Sequence, residues 1–318
     1  SEVGSRKSEV GSRRSEVGGQ RSDTTRPMML SALLTPETRH LYPEPLNLMH
    51  PRMIEQHAEV TFNDRVAADT YLMGLKSPDI AARAHPGQFV MIRVGAQADP
   101  LLRRPFSICG VRKDGGLLIL YRVVGRGTRI MAGAGPGTGF DVLGPLGNGF
   151  DFPVQPGESL LVAGGMGIAP LSFLAQRTGQ EVQILAGYAC ADQQIPFECL
   201  GLSHCAVLVA TEDGTIGHHG RVTDLLQESV NHIPHGYAQV YACGPIPMLM
   251  AVADLTLRQG IACQVSLEST MACGLGACQG CAVPAAPGSD RRYYHVCQDG
   301  PVFEVGTLDW EQLQPHVP

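Results

Sequence analysis

Two hydrophobic rhythms run along this chain, and one gives way to the other near residue 155. Between Met53 and Phe152, apolar and polar positions alternate in short runs cut by Gly, Pro and Asp: QHAEVTFNDRVAADTYLMGLKS, QFVMIRVG, RPFSICGVRK, GLLILYRVVG and GFDVLGPLG. Alternation places successive side chains on opposite faces of an extended chain, so these runs predict strands of five to eight residues. Only residues 125–134 carry a hint of helical period. Several short strands at regular spacing predict a small antiparallel barrel. From Glu158 the pattern changes. SLLVAGG, EVQILAGYA, AVLVATEDG, QVYACGP and ACQVSLES are apolar strand-like runs, and LSFLAQRT, GRVTDLLQESV and PMLMAVADLTLRQG fall between them with helical character. Alternating strands and helices predict a parallel sheet with crossovers. PVQPGES reads as the connection between the two regions. From Thr270 the chain turns Cys- and Gly-rich and ends on a short strand-like run, PVFEVGTL. The expected fold class is α+β multidomain, with a barrel over residues 53–154, a parallel-sheet domain over 155–265 and a small unit over 266–318.

The first 52 residues break from these rhythms. Residues 1–26 repeat a seven-residue unit (SEVGSRK, SEVGSRR, SEVGGQR) with one Val each and no apolar seam, so no coiled coil is expected. Such a segment cannot bury enough surface to offset its ordering entropy, and 1–52 is read as a disordered extension. Arg and Ser in it suggest a mitochondrial-type presequence, but its glutamates argue against one. It carries six Lys/Arg against four Asp/Glu in residues 1–26, so the net charge of −6 becomes −8 for the remainder. An acidic chain with 44% apolar residues has material for a core and lacks the basic surface that nucleic-acid binding requires. The most apolar stretch, Leu160–Ala175, is short for a membrane span and is interrupted by a Gly cluster and Pro170. No secretory signal is legible, and a cytoplasmic, non-membrane protein is expected.

The candidate chemistry lies first in the cysteines. Four of ten follow the spacing Cys273-x4-Cys278-x2-Cys281, then 15 residues, then Cys297, amid Ala, Gly and Gln. Small residues let the backbone wrap an inorganic core, and this spacing matches plant-type [2Fe–2S] ligation. Zinc is the alternative, although zinc ligands usually come as two close pairs; bare structural thiols are a further one. The other six, Cys109, Cys190, Cys199, Cys205, Cys243 and Cys263, mostly sit in apolar strands and read as buried thiols.

Three further motifs suggest cofactor sites. Gly164-Gly165-Met166-Gly167-Ile168-Ala169-Pro170 follows a buried strand and opens a helix, where a parallel sheet binds a pyrophosphate on helix amides. Pro170 replaces the third glycine of the usual dinucleotide fingerprint, and a merely structural turn is the competing reading. Cys243-Gly244-Pro245 ends a later strand of the same sheet. Arg104-Pro105-Phe106-Ser107 is placed at the end of a barrel strand, with an Arg for a pyrophosphate and a Ser hydroxyl for a flavin edge. Tyr121-Arg122-Val123-Val124-Gly125-Arg126-Gly127-Thr128 offers glycine amides and a hydroxyl for phosphate.

Taken in order, R-P-F-S, GGMGIAP and C-G-P resemble the ferredoxin–NADP reductase superfamily. The appended MACGLGACQGC…VCQDGPVF is similar to the electron-transfer subunits of type 1B dihydroorotate dehydrogenase, over about residues 53–310. The small subunits of NADH-dependent ferredoxin:NADP oxidoreductases and sulfide dehydrogenases share that architecture, but there an Asp stands among the cluster ligands. Here Cys273 completes a set of four. The resemblance implies an oxidoreductase subunit with FAD, a [2Fe–2S] cluster and NAD as substrate. It implies Arg104 on the FAD pyrophosphate, beside Pro105 and Phe106, and Ser107 on the isoalloxazine. Tyr121, Arg122 and Val123 would contact FAD partly through backbone, and Gly127 and Thr128 would bind its phosphates. Gly165, Gly167 and Pro170 would form the nicotinamide-nucleotide loop, with Cys243, Gly244 and Pro245 near the nicotinamide. Cys273, Cys278, Cys281 and Cys297 would ligate the cluster. The implied partner is an FMN-containing catalytic subunit, two of each, that oxidises dihydroorotate to orotate in pyrimidine biosynthesis. A reductase subunit serving ferredoxin, a sulfide dehydrogenase or a hydrogenase is the alternative, and a zinc-binding interaction module is the non-enzymatic one.

Smaller features stay open. No Arg stands at Gly187-Tyr188-Ala189 to grip a 2′-phosphate, which favours NAD over NADP. Thr211-Glu212-Asp213-Gly214 reads equally as a nucleotide contact or a plain turn. Glu268 reads as a surface carboxylate or as one that orders the cluster loop. His218, His219 and His295 read as solvent-facing.

Overall fold

A computed structural model of the chain describes residues 53–95, 99–152, 158–178, 182–232, 237 and 239–313. The seven-residue repeats, the tail after them and most of the PVQPGES connection lie outside the described residues.

The alternating runs close into an antiparallel barrel in the order β1–β2–β5–β4–β3–β6. Its strands are β1 (Ile54–Ala67), β2 (Thr70–Lys76), β3 (Phe89–Arg93), β4 (Arg104–Val111), β5 (Gly116–Arg122) and β6 (Gly139–Leu146). Alternate residues point inward, so Met73, Leu75, Ile92, Ile108, Ile119 and Val142 have no accessible surface. β1 has 14 residues, longer than the alternation predicts. Its first half pairs with β6 and its second with β2, and register shifts at Val60/Phe62 and Arg65/Ala67 let it bend between them. The R-P-F-S motif opens β4 rather than ending a strand. A short helix, α1 (Pro78–Ala81), lies between β2 and β3, and the helical hint near residue 130 is α2 (Arg126–Ala132).

The second rhythm builds a sheet in the order β10–β9–β8–β7–β11–β12–β15. It contains β7 (Ser159–Gly164), β8 (Val182–Tyr188), β9 (Ala206–Thr211), β10 (His218–His219), β11 (Gln239–Cys243) and β12 (Cys263–Ser266), all parallel, with α3 (Ile168–Thr178), α4 (Val222–His232) and α5 (Ile246–Gln259) between them in sequence. The apolar stretch Leu160–Ala175 is thus divided between β7, a glycine turn and α3. No helix among the described residues is long and apolar enough to cross a membrane. Strand order reverses direction at β7, since β8 and β9 lie on one side of it and β11 on the other. That reversal opens a crevice at the strands' carboxyl ends.

The Cys-rich segment carries a two-stranded ribbon, β13 (Ala282–Pro284) with β14 (Tyr293–His295), then returns as β15 (Val302–Glu304), antiparallel to β12. The run PVFEVGTL therefore extends the large sheet. Barrel and sheet are joined by defined bonds. Ser172 Oγ on α3 donates to the Cys109 carbonyl of β4 at 2.9 Å, and Tyr241 OH on β11 donates to the Asp151 carbonyl at 2.8 Å. One apolar core runs through all three parts: Phe89 and Met91 from the barrel, Val162 and Val240 from the sheet, Met271 and Val296 from the Cys-rich segment. Removing that shared surface from water holds the parts together.

Candidate functional site

One cavity opens beside the carboxyl ends of β7 and β11 and another beyond the end of β12, and Arg122 lines both. The first, of 410 Å³, is walled by Gly164 and Gly165, by Tyr188 and Glu212 at the ends of β8 and β9, by Arg221 before α4 and by Pro245 before α5. It sits at the strand-order reversal. Gly165 has φ +52°, a left-handed backbone that glycine adopts without strain, and this turn leads straight into the N-terminus of α3. Helix N-terminal amides favour an anion there. The turn is also built on close packing. A Cβ on Gly164 would lie 2.8 Å from Pro245 Cδ, and a Cβ on Gly244 would lie 3.0 Å from the Gly164 main chain. A Cβ on Gly167 would overlap the Cys243 carbonyl group. The G-G-M-G and C-G-P motifs are therefore two halves of one contact.

The second cavity, of 290 Å³, lies between barrel and sheet. Phe106, Ser107, Tyr121, Arg122 and Thr128 come to it from the barrel side, and Met166, Glu268 and Met271 from the other. Tyr121 is 2% accessible; its ring stacks on Tyr71 at 5.7 Å inside the barrel and its hydroxyl donates to Asn63 Oδ1 at 3.0 Å. Arg104 donates to the Leu102 carbonyl and crosses the first turn of α2, where a Cβ on Gly127 would lie 2.7 Å from Arg104 Nε. Thr128 Oγ1 accepts from the Val124 and Gly125 amides at 3.0 and 3.1 Å and so caps α2 from within. An aromatic wall beside a cationic corner fits a flavin ring and its phosphates.

Glu268 lines this cavity and is at the same time an exposed residue. The protein on the cavity side of its carboxyl raises its pKa above the usual range, solvent on the open side moderates that rise, and the Arg122 charge opposes it. Cys243 is 1% accessible, and burial, helped by the Glu268 charge, pushes its thiol well above the ordinary cysteine range, against a hydrogen bond with Ser266. Cys243 is accordingly a neutral thiol and no nucleophile at neutral pH.

The four cysteines of the C-terminal segment converge in two pairs. Cys281 Sγ lies 3.3 Å from Cys297 Sγ, and the Cys278 thiol hydrogen-bonds Cys273. Among the described residues, no three His, Cys, Asp or Glu side chains meet as ligands of a single metal ion would. Main-chain N–H groups point at the sulfurs: Leu275 and Cys278 to Cys273 at 3.3 and 3.4 Å, Gly276 to Cys297 at 3.1 Å and Cys297 to Cys281 at 3.5 Å. Burial raises the Cys273 thiol, but these backbone donors outweigh it and bring it down to about 7. Gly274 and Gly276, at φ +73° and +76°, let the loop turn back on itself. Two thiol pairs within a shell of amide donors fit a binuclear iron–sulfur cluster better than one zinc ion. Cys281 and Cys297 are buried, while Cys278 and the crest from Ala277 to Gly280 are exposed.

Of the residues singled out by sequence, Pro105, Phe106, Ser107, Tyr121, Arg122 and Thr128 meet at the second cavity, and Arg122, Gly165 and Pro245 at the first. Arg104, Val123, Gly127, Gly167, Pro170, Cys243 and Gly244 do not line either; Arg104 and Gly127 meet beside the second, and Gly167, Cys243 and Gly244 support the first from behind. Sequence patterns left Glu212 undecided, and it lines the nucleotide-side cavity. Arg221 was not singled out at all. It reaches that cavity from the start of α4, although no Arg stands at the end of β8.

Comparison with known proteins identifies a family and a fold. A family profile described as the iron–sulfur cluster binding domain of dihydroorotate dehydrogenase B matches residues 268–309. Electron transfer subunits of dihydroorotate dehydrogenase B (NAD(+)) are similar along most of the chain. The one from Geobacillus kaustophilus is 42% identical over 252 residues, covering 76% of this chain and 94% of the relative. That from Fusobacterium nucleatum is 37% identical, covering 78% and 96%. Among solved structures, an NADH-dependent reduced ferredoxin–NADP oxidoreductase superposes with TM-score 0.71 at 29% identity, covering 81% of this chain and 91% of the other. A ferredoxin NADP+ reductase from Neisseria gonorrhoeae with bound FAD and NADP shares the fold, with TM-score 0.56 at 16% identity over 65% and 92%.

Proposed function

The chain belongs to the family of electron-transfer subunits of dihydroorotate dehydrogenase B, and from that premise we propose that it passes electrons between an FMN-containing catalytic subunit and NAD+. The catalytic subunit oxidises dihydroorotate to orotate, in pyrimidine biosynthesis. The observation that carries this reading is a shared wall. Met271 lines the flavin-side cavity, and Cys273, two residues on, is in the thiol group. Bound FAD and a [2Fe–2S] cluster supply the exchange between hydride and single-electron transfer.

The chain's own residues bind and position. Arg104, Gly127 and Thr128 form the corner for FAD phosphates; Pro105, Phe106, Ser107, Tyr121, Arg122 and Val123 form the ring site. Gly165 and the first amides of α3 receive the nucleotide diphosphate, with Gly167, Pro170, Gly244 and Pro245 setting the shape of that turn and Cys243 a neutral thiol behind it. Glu212 accepts from ribose hydroxyls and repels an added phosphate, which favours NAD(H) over NADP(H). Cys273, Cys278, Cys281 and Cys297 hold the cluster, and the exposed crest with Leu275, 45% accessible, faces the partner subunit. We assign residues 53–154 to flavin, 155–265 to nucleotide and 266–318 to cluster, and place the protein in the cytoplasm in a complex of two subunits of each kind.

Anaerobic titration of the isolated FAD- and cluster-loaded chain with NADH tests this path. Flavin bleaching and the electron paramagnetic resonance signal of a reduced [2Fe–2S] cluster are expected together. Flavin bleaching with a cluster that stays oxidised by NADH yet is reduced by dithionite contradicts the shared-wall path.

A further inference from the structure

Arg122 ends β5 and belongs to both cavities, which no other lining residue does among the described residues. On the nucleotide side its Nη2 stands 4.0 Å from where a Cβ on Gly165 would lie and 3.5 Å from Gln193 Oε1. Its Nε is shielded from solvent and has no hydrogen-bond partner. An unpaired donor in such a place costs free energy, and an acceptor brought by a ligand would recover it. On the flavin side, Arg122 and Glu268 are the two charged side chains lining the cavity. The other polar residues lining the cavity are neutral, namely Ser107 from β4, Tyr121 from β5, Thr128 from α2 and Ser269 beside Glu268, and the Cys243 thiol of β11 lies within reach of the Glu268 charge. Among the described residues, the guanidinium is thus the one positive charge that favours an ionised Glu268.

We propose that Arg122 is a positioning residue shared between the cavities, so that a nucleotide diphosphate seated beside Gly165 engages its guanidinium and thereby weakens the counter-charge of Glu268. Nucleotide occupancy and the charge of Glu268 are then coupled, and this rests on the nucleotide reading of the first cavity. The direction follows from electrostatics. A diphosphate offsets the field of Arg122, the Glu268 carboxylate loses support, and its proton affinity rises. Between the free and the bound titration ranges of Glu268, binding takes up a proton, and nucleotide affinity falls as pH rises through that window. The coupling places a proton in the flavin-side cavity when the nucleotide arrives and releases it when the nucleotide leaves.

The test is calorimetry of NAD+ binding to the FAD- and cluster-loaded chain, repeated in buffers of different ionisation enthalpy across mildly acidic to neutral pH. The wild-type chain is expected to take up a fraction of a proton, never more than one, per NAD+ bound. Glu268→Gln is expected to bind NAD+ with no uptake in that window. Arg122→Gln, checked for retained FAD, is expected to bind NAD+ roughly tenfold to a hundredfold more weakly, as for a lost charge-assisted bond, and to lose the uptake. Binding by wild type without proton uptake, or equal uptake by wild type and Glu268→Gln, overturns the coupling while leaving the nucleotide site standing. No NAD+ binding at all by wild type overturns the nucleotide site and the coupling with it.

Discussion

Replacing Gly167 with alanine is expected to destabilise the chain and abolish nucleotide binding. A Cβ at this position would overlap the Cys243 carbonyl group and lie 2.8 Å from the Gly244 nitrogen. Both obstacles are main chain, at the end of a buried central strand, and no side-chain rotation relieves them. Either β11 moves away from the turn or α3 shifts on the sheet. α3 carries fully buried Ile168, Leu171, Phe173 and Leu174, so its shift would open the core beneath it. Overpacking of this kind costs about 3 kcal/mol, the upper end of the usual range. For a chain of this size that lowers the melting temperature by roughly 6–12 °C. Thermal unfolding of the FAD-loaded protein measures the first effect, and NAD+ binding the second. Gly135→Ala is the matched control, because a Cβ there meets nothing within 4 Å, and it is expected to leave both unchanged. A Gly167→Ala chain that melts like wild type and binds NAD+ normally would refute the contact.

Cys278→Ala is expected to remove the iron–sulfur cluster and spare the flavin. Its sulfur pairs with Cys273 and lies in the exposed part of the loop, so its loss leaves the buried Cys281–Cys297 pair and the apolar core in place. Iron and acid-labile sulfide are expected to fall to near zero, with FAD content close to that of wild type. NADH should still bleach the flavin, while transfer to the catalytic subunit falls to background. Unchanged iron content would remove Cys278 from the ligand set. Loss of FAD together with iron would show that the cluster loop, through Met271, holds the flavin cavity open.

Much of this was legible along the chain, for reasons that differ by residue. The cysteine spacing and the change from alternating to strand–helix rhythm are local patterns, and they indicated the cluster loop and both larger folds without tertiary information. G-G-M-G and C-G-P were visible as glycine motifs 79 residues apart, counted from Gly165 to Gly244, but not their mutual contact, which exists only once β7 and β11 are neighbours. The cavity positions of Glu212, read equally as a nucleotide contact or a turn, and of Glu268, read as a surface carboxylate or an orderer of the cluster loop, stayed open because the residues across each cavity come from distant parts of the chain. Arg221 gave no signal, since it enters the nucleotide-side cavity from the start of α4 rather than from a strand end. The two-sided position of Arg122 depends on how the barrel docks on the sheet, through bonds such as Ser172 to Cys109 that no periodicity encodes. β15 was legible as a strand, yet its pairing with β12 was not, because edge pairing is decided by where the Cys-rich segment leaves the chain.

The central claim is that electrons cross this chain between a dihydroorotate-oxidising partner and NAD+. The most direct measurement combines the purified chain with the catalytic subunit, isolates the complex, and follows NADH formation on adding dihydroorotate and NAD+ under anaerobic conditions. NADH is expected to accumulate in step with orotate, only when both subunits are present, and not with Cys278→Ala in place of wild type. A stable complex that forms orotate with an artificial acceptor but never reduces NAD+ would contradict the account.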